Sequence, residues 1–83
     1  MSELSWRTLA PACRRADLSM SALHLRCIAL GGIATLPELS AHFASGGFLS
    51  NTEHDVAVHA INERFLELHD PERLPYDAAR GAR

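Results

Sequence analysis

Apolar residues recur at intervals of three and four from Trp6 to Leu68, and breaks in that rhythm divide the chain into four helical segments. The first covers about Glu3 to Ala16, with Trp6, Leu9, Ala10 and Cys13 on one stripe. Pro11 falls inside it, where it removes a hydrogen bond and crowds the preceding turn. The segment is therefore expected to kink, or to split into two pieces with Pro11 opening the second. The second segment starts after Ser19, whose hydroxyl suits the N-cap position. Met20, Leu23, Cys27 and Leu30 share its stripe, with Leu25 and Ile28 beside them. Apolar residues cover most of its circumference, which predicts the central, most buried helix. Gly31 and Gly32 close it.

The third and fourth segments each open on a capping-box pattern, Thr35-Leu-Pro-Glu38 and Ser50-Asn-Thr-Glu53. Leu36, Leu39 and Phe43 form the apolar side of the third, which Ser45-Gly46-Gly47 stops. Val58, Ile61, Phe65 and Leu68 form the buried stripe of the fourth, which Asp70-Pro71 ends. The remaining PERLPYDAARGAR has two prolines and little periodicity, so an extended or frayed tail is expected, with Tyr76 docking on the body. No segment alternates with the period of a strand.

The expected fold is all-α: a small bundle of three to four short helices over residues 1–70, followed by a C-terminal tail over 71–83. In layout, residues 20–69 resemble a helix-turn-helix domain, with the fourth segment in the position of a recognition helix. Charge argues against that use. Formal net charge is −2, and all eight cations are arginine. The fourth segment exposes Glu53, Asp55, Glu63 and Glu67 against Arg64 alone, whereas a DNA-reading helix needs cations facing phosphate.

Composition adds a further constraint. The chain is 47% hydrophobic, but much of this is alanine, and five aromatic residues supply the large rings. So light a core in 83 residues favours help from a partner or a second copy. No apolar run is long enough for a membrane span. The first residues, MSELSWRTLAPACRR, lack the pattern of a secretory signal, so a cytoplasmic location is expected.

Candidate chemistry is sparse. Cys13 and Cys27 fall on apolar helical positions and read as buried small hydrophobes. His54, Asp55 and His59 include an Asp-x3-His pair, and His59 with Glu63 repeats the spacing, but no third ligand can be assigned and no metal or cofactor is implied. Cys13 or Cys27 with His24 and Asp17 could be written as a nucleophile and its base, yet such triples arise easily by chance. No catalytic residues and no enzymatic activity are expected.

Binding to another protein remains. The candidate surface is the outward side of the fourth segment, Asp55, His59, Asn62, Glu63 and Glu67 with Asp70, where carboxylates in a row suit a basic partner. Phe48 adds an apolar anchor in the loop before it, and Leu49 reads as a hydrophobic staple. The expected role is a non-enzymatic interaction module, in the manner of the small inhibitors of host machinery made by phages and mobile elements, anti-CRISPR proteins among them. A homodimer is a further expectation, and a DNA-binding regulator is the alternative.

Overall fold

Four α-helices follow one another: α1 (Leu9–Arg15), α2 (Met20–Ala29), α3 (Leu36–Ser45) and α4 (Asn51–Glu67), with a 3-10 turn over Trp6–Thr8 leading into α1. The structure, a computed structural model, describes residues 6–71 and residue 74, and among them there is no strand. The all-α bundle expected from the apolar rhythm is present. The first segment does split into two pieces, but the second opens at Leu9 and not at Pro11. Pro11 becomes the third residue of α1, inside the first turn, where an N–H would have no helical partner to lose.

The helix starts follow their caps. The Ser19 hydroxyl accepts from the Ala22 N–H at 3.1 Å. Thr35 and Glu38 form the full reciprocal box, at 3.3 and 2.8 Å. Ser50 accepts from the Glu53 N–H at 3.1 Å. The second half of that box turns elsewhere: the Glu53 carboxylate accepts the backbone N–H groups of Ile33 and Ala34, both at 3.1 Å. It thereby fastens the α2–α3 connection to the first turn of α4.

Three helices stop in the same way, with a residue at positive φ and paired backbone bonds folding back. After α1, Asp17 (φ 58) and Leu18 donate to Arg14 and Cys13. After α2, Gly31 (φ 92) and Gly32 donate to Ile28 and Cys27. After α4, His69 (φ 58) and Asp70 donate to Leu66 and Phe65. The stop of the last helix thus lies in His69, just ahead of the expected Asp70-Pro71.

The core is built around α4, not α2. Seven residues of α4 are buried: His54, Ala57, Val58, Ala60, Ile61, Asn62 and Phe65. Onto them pack Leu9, Ala12 and Cys13 of α1, Leu23 and Cys27 of α2, and Leu39 and Phe43 of α3. Only Leu23 and Cys27 of α2 are buried, while Leu25, Ile28 and Leu30 are exposed. The expectation of a central second helix therefore fails, because α2 has neighbours on one side only. Leu68, expected in the core, is exposed as well; it is the C-cap residue of α4.

The segments flanking the helices are also fastened. Trp6 lies over Gly46, where an added Cβ would come within 2.5 Å of the indole. Leu74 is buried in the core cluster, and its N–H and C=O are bonded to the Asn62 amide at 2.8 and 3.0 Å. Tyr76, expected to dock, lies outside the described residues.

Two glycine substitutions separate backbone strain from crowding. Gly31→Ala meets no atom within 4 Å, so it tests the positive φ alone and should cost about 1–2 kcal/mol. Gly46→Ala combines φ 75, ψ 171 with the indole clash and should cost about 3 kcal/mol or more. Thermal melts followed by circular dichroism would rank them, with the melting temperature falling further in the second variant than in the first.

Candidate functional site

The acidic side of α4 is expected to present carboxylates in a row, and the structure engages two of the four, Glu67 and Asp70, with arginines of other helices. Glu67 receives a two-pronged bond from Arg26 of α2, at 2.8 and 3.1 Å, and a third from Arg64 at 3.2 Å. Arg64 also donates to the Ala16 carbonyl at 3.1 Å, joining the end of α1 to the same network. Asp70 is gripped by Arg15, at 3.0 and 3.2 Å. These pairs tie α1 and α2 to the end of α4. The bonds from Arg26, and then from Arg64, hold the Glu67 carboxyl below its ordinary value of 4.5.

The other residues of that side divide further. Asn62, expected to face outward, is buried and spends its amide on Leu74. That is a correction to its assignment: at the edge of the apolar stripe, a short amide can satisfy a buried backbone segment. His59 is exposed and lies 3.5 Å from Glu63, which is half-buried, as is Asp55. Of the proposed row, Glu67 and Asp70 are matched to cations of α2 and α1.

Phe48 is 55% exposed, as expected of a loop anchor, and Leu49 packs partly onto the core. Beneath Phe48 lies a pair of buried histidines that periodicity did not reveal. The Phe48 N–H donates to His42 Nδ1 at 3.2 Å, and His42 Nε2 lies 3.0 Å from His54 Nδ1. Because Nδ1 of His42 is an acceptor, its Nε2 carries the proton donated to His54. The rings meet edge to face, 5.3 Å apart. The available signal was placement: His42 adjoins Phe43 and follows Leu39 by three.

This pairing separates the residues of the metal pattern. His54 points into the core, whereas His59 faces solvent. Among the described residues no group of three or more His, Cys, Asp or Glu side chains could hold a metal ion. His24 bonds the Ala34 carbonyl at 3.2 Å. Cys13 and Cys27 are free and buried. Burial pushes their thiols up to about 12 and about 11, with Cys27 adding to the shift of Cys13 and Glu53 to that of Cys27. Neither supplies an appreciable thiolate at neutral pH.

Two features bear on the alternative uses of the surface. As a recognition helix α4 would need its one cation, Arg64, for phosphate, yet Arg64 is held by Glu67 and the Ala16 carbonyl. No helix of the described residues is long and apolar enough to cross a membrane. The outward side of α2 has a different character: Leu25 is 67% exposed, Ile28 is 50% exposed, and Ser21 and Ala29 beside them carry no charge. Ile33, just beyond the helix, is 83% exposed.

The Glu67 network gives a pH dependence of defined sign. Its lowered carboxyl favours the charged form in the folded chain. The stabilisation is complete above the ordinary carboxylate value and is lost as pH falls through the lower folded-state value. Glu67→Gln should lower the urea midpoint at neutral pH and flatten its decline toward acid, so that the two proteins converge at low pH. High salt should narrow the neutral-pH difference, since the pair is half exposed.

Compared with protein families, with curated proteins and with solved structures, the chain matches none, so the chemistry of its own surface carries the functional reading.

Proposed function

We propose that the chain is a non-enzymatic protein–protein interaction module, an adaptor or inhibitor, and that its working surface is the outward face of α2 continued by Ile33. The observation that carries this reading is the uncharged apolar exposure of that face. Leu25, Ile28 and Ile33 together leave the equivalent of about two whole aliphatic side chains in water. Covering them would contribute roughly 1.5–3 kcal/mol per fully buried side chain, enough to anchor a partner. The fitting partner presents an apolar helix, with the Arg26–Glu67 pair at the polar rim of the contact. Since Glu67 and Asp70 already have cations, a basic partner gains less from the α4 side than the sequence implies. Phe48 offers a second anchor from the loop before α4.

The test places a photo-crosslinking residue at position 25, with a control at position 59, in the native host. The expected result is one defined protein attached at position 25, absent at 59 and lost with Ile28→Glu. Ile28→Glu should leave the helical circular dichroism unchanged, because the side chain is already half in water. A product of twice the chain mass would assign the face to self-association and remove the adaptor reading. No specific product at position 25 would overturn the proposal.

A further inference from the structure

The arginines of the described residues are almost all engaged. Arg7 lies over the Trp6 ring at 5.1 Å, Arg15 grips Asp70, Arg26 grips Glu67, and Arg64 holds Glu67 and the Ala16 carbonyl. Arg14 is the exception: among the described residues its side chain makes no ion pair, hydrogen bond or ring contact. It stands on the wall of a half-open cleft of about 320 Å³ between α1 and α3. Cys13 and Phe43 are the buried residues of its lining, and Leu18 and Met20, half-buried, add to its apolar surface. Ser40 stands on the opposite wall and is exposed, with no hydrogen bond from its hydroxyl among the described residues.

We propose that this cleft binds a small amphipathic monocarboxylate, with its aliphatic body against Cys13 and Phe43 and its carboxylate on Arg14. The volume lies at the lower end of the roughly 300–1,000 Å³ range of small-molecule sites. The lining is almost wholly apolar, so the body of the ligand must be apolar as well. An unpaired guanidinium at the lip selects an anionic head, and its planar fork suits a carboxylate. Ser40 is the other polar side chain of the lining. The small Ala10 and Ala44 keep the cleft open between its two helices. The site is separate from the outward face of α2 and does not depend on the partner proposed for it.

The experiment follows the methyl and aromatic NMR signals of the full chain during titration with sodium decanoate below its micellar range. Decan-1-ol serves as the uncharged control. Saturable shifts are expected at Leu18, Met20 and Phe43, with decanoate binding more tightly than decanol. Arg14→Gln should weaken decanoate about fivefold while leaving decanol unchanged. Ala44→Phe, at an exposed wall position, should abolish both responses in a chain that keeps its native spectrum. Shifts spread over Leu25 and Ile28, equal binding of acid and alcohol, or an absence of saturable shifts would each overturn the proposal.

Discussion

The constraint on which the rest of the structure depends is the burial of α4 in a chain barely large enough to surround it. Val58, Ile61 and Phe65 are almost wholly removed from water, and Ala57 and Ala60 beside them are fully covered. Three short helices must supply that cover, helped by the 3-10 turn and Leu74. Each puts its best stripe against α4 or its immediate neighbours, and nothing is left to cover the far side of α2. The exposed Leu25 and Ile28 are thus the outcome of how few layers a chain of this length can build.

Placement on the flanks of α4 explains its polar residues. Glu53, Arg64 and Glu67 follow one edge of the buried stripe and Asn62 the other. Each reaches a different segment: the 33–34 backbone, the end of α1, Arg26 of α2, and Leu74. A thin apolar core cannot fix the angles of four short helices by packing alone, and directional bonds at its margins do so. Individually, half-exposed ion pairs contribute little. The bonds that satisfy buried backbone groups, those of Glu53 and Asn62, matter more, because breaking them strands a donor or acceptor away from water.

What the sequence revealed was what depends on nearby residues. Ser19, Thr35 and Ser50 mark helix starts because a cap and its N–H lie three residues apart. Pro11 and Gly31 mark stops and starts for equally local steric reasons. The Val58–Ile61–Phe65 stripe was visible from its period. What stayed hidden was choice of partner. An apolar circumference on α2 looks the same whether it is enclosed or only half covered. Glu53 reads as half of a capping box until the loop 19 residues upstream is folded against it. Asn62 and Glu67 read as wet surface because Leu74 and Arg26 are distant in sequence. The apolar cleft beside Arg14 joins α1 to α3, and no single stretch of sequence contains both walls.

The position of α4 along the chain has a consequence for how the protein comes into being. The helix that contributes most to the core is the last of the four to be synthesised, and Leu74 follows it. As the chain emerges, α1, α2 and α3 can touch one another, but Leu9, Leu23 and Leu39 still lack the Val58–Ile61–Phe65 stripe that completes their cover. At roughly 5–20 residues per second, the growing chain carries these side chains incompletely covered for a second or more. The apolar core is therefore completed only once α4 has been made.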